Sequence, residues 1–218
     1  MAKDLAIVLN NGSVNSAVVT AMAAQRFRPI LVMVEPSIEV SSSRPRAAFD
    51  QQVVHFKPYR SYVIPLSFPT TPAPHANATM ADPRQSAPLE PKLLELLSLI
   101  SLGVRFAAHH QAAAIYLGTR VGPATDELAQ ATEYFQIWSE LVQLPCGQAE
   151  LELQTPLLEL DAWQVIDVGY QVGAPLERTW SCEEDSPEPC LSCRGCRDRE
   201  AAFQQAGKPD PTRVVRKL

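Results

Sequence analysis

The sequence predicts an α/β protein in which helices cover both faces of a mostly parallel, doubly wound sheet of five strands. Short apolar runs alternate along the chain with longer segments of helical periodicity, the β-α-β rhythm of such a sheet. The chain has 218 residues, 46% of them hydrophobic, and is therefore long enough to bury a core of that kind.

The predicted elements follow one another with few interruptions. The apolar runs predict strands over residues 5–9, 30–35, 61–66, 112–119 and 149–154. The periodic segments between them predict helices over residues 16–27, 44–57, 88–111 and 125–142. Seven prolines between residues 65 and 91 predict a long irregular loop, either a functional lid or a tolerated insertion.

Charge and terminal composition exclude several classes of function. The net charge of -5 argues against a protein whose main partner is a nucleic-acid backbone, because such proteins carry a basic face. The N-terminal segment "MAKDLAIVLN" has too short an apolar run for a signal peptide or a membrane span. We therefore expect a cytoplasmic protein that has no membrane partner.

Four cysteines near the C-terminus have the spacing of a metal site. Cys182, Cys190, Cys193 and Cys196 are separated by seven, two and two residues. Four thiolates can surround Zn²⁺ tetrahedrally, and a site with four protein ligands has no open position for substrate, so we expect a structural zinc. An iron–sulfur cluster also accepts four cysteines and remains the alternative.

The residues around these cysteines resemble a known family. "PLERTWSC" followed by "CLSCRGCRDREAAF" is similar to the C-terminal signature of the 7-cyano-7-deazaguanine synthases of queuosine biosynthesis. The resemblance implies a PP-loop ATPase-like domain over residues 1–178 and a zinc-binding segment over residues 179–218. It also implies ATP with magnesium, a deazapurine substrate and a homodimer. The implied reaction adenylates 7-carboxy-7-deazaguanine, forms an amide with ammonia and dehydrates it to the nitrile using further ATP.

The stretch "VLNNGSVNSAVVT" lies where that family keeps its nucleotide-binding loop, Ser-Gly-Gly-x-Asp-Ser. On this alignment the candidate nucleotide-binding residues are Asn11, Gly12, Ser13, Asn15 and Ser16. A strand that feeds a tight turn and a helix start offers backbone N–H groups and a positive dipole end to a phosphate. Ser16 has a second interpretation, as the N-cap of the helix.

Several positions depart from the family pattern. Asn15 stands in place of an aspartate, and Ala162 stands where the family commonly places a lysine near the phosphates. "ELAQATEYF" replaces the Tyr-Pro-Asp-Cys-Arg patch associated with the substrate, and "QSAPLEPKLL" replaces a Pro-Gly-Arg-Asn segment. Two hypotheses remain: a ligase of the synthase type, or an altered or inactive relative that binds a nucleotide, a deazapurine or a protein partner. Nucleic-acid binding is a disfavoured third.

Two further interpretations concern the C-terminal segment. Trp180, within the Thr-Trp-Ser run of residues 179–181, either packs the cysteine segment onto the sheet or borders a purine-sized pocket, and packing is favoured. The basic run after the cysteines predicts an amphipathic helix that leaves Arg194, Arg197 and Arg199 exposed.

Overall fold

Five parallel strands form the sheet that the apolar runs predict. The computed structural model describes residues 4–35, 43–65, 91–123, 125–146, 150–184 and 186–214. The strands are β1 (Leu5–Leu9), β2 (Arg28–Glu35), β3 (Arg60–Pro65), β4 (Ala114–Leu117) and β5 (Glu152–Gln154). They lie in the order β3-β2-β1-β4-β5, and every neighbouring pair is parallel, which confirms the predicted fold class.

Helices separate the strands along the chain. They are α1 (Val14–Arg26), α2 (Arg44–Phe56), α3 (Pro91–His110), α4 (Thr125–Leu141), α5 (Gln143–Cys146), α6 (Ala162–Gln171), α7 (Arg194–Gln205) and α8 (Pro211–Val214), with a 3₁₀ turn at Leu176–Arg178. The first four agree with the predicted helices. The predicted proline-rich loop lies, apart from its two ends, outside the described residues.

The sheet has an apolar core on each face because successive strand residues point to opposite sides. On one face Val8 and Leu31 pack with residues of α1, α2, α6 and α7. On the other face Ile7 and Ile115 pack with residues of α3 and α4. All four strand residues are completely buried. Burial on both faces explains why these strands read as continuous apolar runs.

Helix α6 is an element that the periodicity did not indicate. It begins where the backbone N–H of Asp161 donates to Gln164 Oε1 at 2.7 Å, so the helix start is stabilised by its own first turn. Val165 and Ile166 are almost fully buried in the same core as α1. Helix α7 packs beside α6 and contributes Phe203 to that core, which joins the C-terminal segment to the sheet.

The strand order creates a crevice at one end of the sheet. The chain runs outward from β1 to β2 and β3, then returns to place β4 and β5 on the other side of β1. Where the direction reverses, the loops after the two central strands diverge, and ligands of open α/β sheets bind there. Among the described helices, none is both long and apolar enough to cross a membrane.

Candidate functional site

A cavity of about 550 Å³ lies at the carboxyl ends of β1 and β4. This volume falls within the roughly 300–1,000 Å³ that small-molecule sites occupy. Its wall is apolar where β1, β2, α3 and β4 form it, and polar where the loops that follow β1 and β4 form it. The lining residues are Leu9, Asn10, Asn11, Ser13, Asn15, Ser16, Val32, Val34, Leu96, Leu99, Leu117, Gly118, Thr119 and Arg120. Four of the five predicted nucleotide-binding residues therefore line the cavity.

Gly12, the fifth predicted residue, is buried behind the cavity wall. Its φ of +79° lies in the left-handed region, which favours glycine. A Cβ at this position would lie 2.4 Å from the carbonyl oxygen of Pro45 at the start of α2. Glycine is therefore required both by the backbone conformation and by the close approach of α2.

A buried polar network holds the loop in place. Asn10 is 2% exposed; its amide nitrogen donates to Thr20 Oγ1 at 3.0 Å and to Gln52 Oε1 at 2.8 Å. Gln52, which is completely buried, donates in turn to the carbonyl oxygens of Gly12 (3.1 Å) and Arg178 (3.0 Å). Because buried amides must be paired, this network fixes the loop relative to both α2 and the 3₁₀ turn.

The start of α1 differs from the prediction that Ser16 caps the helix. Helix α1 begins at Val14, and Ser13 is the N-cap, with its Oγ accepting from the backbone N–H of Ser16 at 3.3 Å. Ser16 Oγ instead donates to Asn11 Oδ1 at 2.8 Å and accepts from the Asn11 N–H at 3.2 Å. The prediction was wrong because the helix begins at Val14, three residues before the start that a cap at Ser16 requires.

Several loop N–H groups that could bind an anion already have partners within the loop. The N–H of Gly12 donates to Asn10 Oδ1 at 2.8 Å, and the N–H of Ser13 donates to Asn11 Oδ1 at 3.2 Å. The N–H groups of Asn11 and Ser16 are bonded to serine hydroxyls, as described above. A phosphate at these groups would have to replace side-chain acceptors rather than water.

Asn15 joins the loop of β1 to the loop of β4. Its amide nitrogen donates to the carbonyl oxygen of Gly118 at 3.0 Å. A Cβ at Gly118 would lie 3.0 Å from the carbonyl carbon of Asn15, so the two segments are in close contact. An aspartate could not donate this hydrogen bond at neutral pH, so the contact explains why an amide side chain stands at position 15.

Arg120 is a charged residue of the cavity that the sequence patterns did not single out. It follows β4 at the carboxyl edge of the sheet, beside the loop of β1. The next two residues, Val121 and Gly122, donate to the carbonyl oxygen of Leu158 at 2.9 and 3.0 Å. Its position directly after a strand was the available signal, because carboxyl ends of parallel strands meet at one edge.

The four predicted metal ligands come together in one cluster. The sulfur atoms of Cys182, Cys190, Cys193 and Cys196 all lie within 4.8 Å of one another, and Cys182 and Cys193 are 3.9 Å apart. Metal–sulfur bonds of about 2.3 Å in a tetrahedron place the sulfurs about 3.8 Å apart. The cluster therefore fits a single metal ion held by four thiolates.

Backbone N–H groups surround the sulfur atoms. The N–H of Cys190 points to Cys182 Sγ (3.3 Å), that of Cys193 to Cys190 Sγ (3.2 Å), and that of Glu183 to Cys193 Sγ (3.4 Å). Hydrogen bonds from Ser192 and Cys193 lower the pKa of the Cys190 thiol to about 6. These donors stabilise the Cys190 thiolate, the form that binds metal, whereas burial raises the pKa of the Cys196 thiol to about 12.

Glycine is also required inside the cysteine segment. A Cβ at Gly195 would lie 2.0 Å from the carbonyl oxygen of Ser181, so a larger residue would displace the backbone beside Cys182. The Gly195 N–H donates to Glu183 Oε1 at 3.1 Å. The two halves of the segment are thus held together by direct contact as well as by the cysteines.

Comparison with known proteins assigns the family. The family model described as "Queuosine biosynthesis protein QueC" matches residues 96–207, which is just over half of the chain. The chain belongs to the QueC family. The matched range covers β4, the loop with Arg120, and the complete cysteine cluster.

Individual members of the QueC family align over very different lengths. The chain is similar to the 7-cyano-7-deazaguanine synthase of Chloroherpeton thalassium, with 25% identity over 94% of this chain and 95% of that protein. The synthase of Acidobacterium capsulatum is 32% identical over 36% of this chain, but the match spans only 34% of that protein.

Among solved structures, the U34-tRNA thiolase NcsA from Methanococcus maripaludis, described with its [4Fe-4S] cluster, overlaps at a TM-score of 0.48 and 14% identity. The overlap covers 94% of this chain and 64% of that chain.

Trp180 connects the cysteine cluster to the glycine loop of this QueC-family chain. Its indole N–H donates to the carbonyl oxygen of Cys182 at 2.9 Å, and its backbone N–H donates to the carbonyl oxygen of Gly12 at 3.0 Å. It also lines a second cavity of about 440 Å³ together with Arg44, whose guanidinium lies 6.0 Å from the indole centroid. Trp180 therefore both packs the segment and borders a pocket.

Arg199 is partly buried, so the prediction that it is exposed was wrong. Its side chain is 10% exposed and forms a bidentate pair with Asp210, at 2.7 and 2.9 Å. It also donates to Thr179 Oγ1 at 2.7 Å. Burial by itself raises the pKa of Asp210, but the hydrogen bonds and charge of Arg199 bring that pKa below its ordinary value. Arg194 and Arg197 are exposed, as predicted.

Proposed function

We propose that this chain is an ATP-dependent enzyme of the 7-cyano-7-deazaguanine synthase type, and that the crevice between β1 and β4 is its nucleotide site. The observation that carries the proposal is the strand-loop-helix unit of residues 5–26, which opens onto a 550 Å³ cavity at the reversal of strand order. Membership of the QueC family supplies the reaction class.

The chemistry requires activation of a carboxylate, which is a poor electrophile. A carboxylate oxygen of 7-carboxy-7-deazaguanine attacks the α-phosphorus of ATP and releases pyrophosphate. Ammonia then attacks the acyl carbon and releases AMP, which leaves the amide. The amide oxygen then attacks the α-phosphorus of a second ATP and releases pyrophosphate; departure of AMP, which carries that oxygen, and loss of both N–H protons give the nitrile. The role of the protein in such transfers is to hold the reacting groups together and exclude water.

The two sides of the cavity suit the two parts of a nucleotide. The apolar wall contains Leu9, Val32 and Leu117 and offers a surface to a planar base. The polar wall contains Ser13 and Ser16 at the start of α1, where the helix dipole favours an anion. The base and the phosphates can thus be held without a further domain.

The described lining of the cavity does not provide the usual side-chain ligands of Mg²⁺. The cavity lining within the described residues contains no aspartate or glutamate, the side chains that usually hold Mg²⁺ beside a nucleotide. Asn15, which replaces the family's aspartate, uses its amide nitrogen on Gly118. The residues present do not form a magnesium site, so no step of the mechanism is assigned to that ion.

We propose zinc as the metal of the cysteine cluster. The sulfur spacing suits one tetrahedral ion, whereas an iron–sulfur cluster is larger than a single ion. Bound there, zinc would fix the segment that carries Trp180. Elemental analysis tests the assignment: about one zinc per chain supports it, and iron with acid-labile sulfide contradicts it. Four closely placed thiols also favour a reducing compartment, which supports a cytoplasmic location.

A second candidate function is nucleotide or deazapurine binding without turnover. Two observations favour it: the loop N–H groups are bonded within the loop, and the Asn15 amide is bonded to Gly118. Both reduce the number of groups that are free to stabilise a developing charge.

The experiment that separates the two functions measures binding and turnover on the same protein. Calorimetric titration with ATP and with 7-carboxy-7-deazaguanine gives the affinities. Incubation of both with ammonia, followed by quantification of AMP and of the nitrile, gives turnover. Binding with AMP release supports the enzyme. Binding without AMP release supports the second function, and no binding of either ligand contradicts both.

A further inference from the structure

The nucleotide crevice has an unusual charge distribution. Among its described lining residues, Arg120 is the single charged side chain, and the remainder are apolar, hydroxyl or amide residues. Arg120 is exposed and takes part in no ion pair among the described residues. The nearby carboxylate is that of Asp161, whose Oδ1 lies beside Gly122 together with Arg120 Nη1 but forms no ion pair with it.

The backbone beneath Arg120 is well supported on both sides. Before it, Gly118 accepts the hydrogen bond from Asn15 and contacts the start of α1. After it, two consecutive N–H groups bind the carbonyl oxygen of Leu158, and Gly122 takes a φ of +100°. The loop thus holds the Arg120 backbone in a defined place at the crevice, and the exposed side chain, whose Nη1 lies beside Gly122, makes no ion pair among the described residues that would have to be broken for it to bind a ligand.

We propose that Arg120 binds the phosphate groups of the nucleotide and is the main source of positive charge in this site. The inference rests on the proposed function, since it concerns the same crevice. The N–H groups of Gly12 and Ser13 are occupied by Asn10 and Asn11, so the loop backbone is a weaker anion site than an open loop. A guanidinium binds phosphate through parallel, charge-assisted hydrogen bonds, about twice as strong as neutral ones.

The proposal defines the ligand by its chemistry. The site takes a molecule with a planar base and at least one phosphate, and it discriminates against the matching nucleoside, which lacks the anion. Position 162 cannot supply the charge, because it is alanine. The positive charge comes instead from Arg120 in the loop after β4, the strand that lies beside β1 where the strand order reverses.

The test compares ligands with and without phosphate on matched variants. Calorimetry measures the affinities of ATP, AMP and adenosine for the native chain, Arg120→Gln and Arg120→Lys. Arg105→Gln is the control, because Arg105 is an exposed arginine of α3 that does not line the crevice. Circular dichroism verifies that each variant is folded.

We expect Arg120→Gln to weaken ATP binding by about 10- to 100-fold, the loss typical of a hydrogen-bonded charged group. Adenosine affinity should stay unchanged, Arg120→Lys should be intermediate, and Arg105→Gln should equal the native chain. Equal weakening of ATP and adenosine, or unchanged ATP affinity, overturns this inference while the proposed function stands. A native chain that binds no ATP overturns both.

Discussion

Replacement of Gln52 by leucine removes the central member of the buried network without changing the side-chain volume greatly. The variant loses three hydrogen bonds: one from Asn10 and one each to the carbonyl oxygens of Gly12 and Arg178. Asn10 keeps Thr20 as a partner, and Gly12 keeps the N–H of Trp180. At about 1 kcal/mol for each bond, we expect the free energy of unfolding to fall by about 3 kcal/mol.

Urea denaturation measures this loss. With a slope of about 2 kcal/mol per M, the midpoint should fall by about 1.5 M while the slope stays unchanged. Gln51→Leu is the matched control, because Gln51 is the adjacent residue with the same side chain but lies exposed. Its stability should remain within about 0.5 kcal/mol of the native chain. If Gln52→Leu and Gln51→Leu unfold at the same midpoint, the buried network does not hold the loop.

Three further substitutions test other parts of the account. Gly12→Ala should lower the free energy of unfolding by at least about 2 kcal/mol, because φ is positive and Pro45 leaves no room; an unchanged urea midpoint would contradict this. Asn15→Asp should lose the hydrogen bond to Gly118, so the free energy of unfolding should fall and the ATP affinity measured by calorimetry should not rise. A gain in ATP affinity would show instead that position 15 serves as a metal ligand when it carries a carboxylate. Asp210→Asn should be less stable than the native chain at neutral pH. The pKa of Asp210 is lowered in the folded state, so its contribution is present above the ordinary value of 3.8 and lost as pH falls below it. The two proteins should therefore converge in acid, and a constant difference down to acid pH would refute the role of the Arg199 pair.

The local pattern of apolar residues was sufficient to predict most strands of the sheet. Strands such as Leu5–Leu9 are apolar on both faces, so the runs are continuous and their ends are marked by polar residues. Helix α6 was not predicted, because its segment is short and contains Gly169, a residue that is unfavourable in helices. Tertiary packing of Val165 and Ile166 against α1 outweighs that preference.

The cysteine cluster was predictable because its ligands are close in sequence, whereas the remaining site residues depend on distant partners. Gln52 is a polar residue within an amphipathic helix, and nothing local shows that it reaches Gly12, forty residues earlier. In the sequence Arg199 resembles a surface arginine, and only the fold shows that Asp210, the residue before α8, lies beside it. Arg120 becomes a crevice residue only because β4 lies next to β1. These features follow from topology rather than from periodicity.

A hydrogen-exchange footprint locates bound ATP and so shows whether the nucleotide occupies the crevice between β1 and β4. Amide exchange of the native chain is followed with and without saturating ATP. We expect slower exchange in residues 10–16 and 118–122, the two loops that face the crevice, and little change in the second cavity beside Trp180. Protection confined to the second cavity, or no protection at saturating ATP, would contradict this expectation.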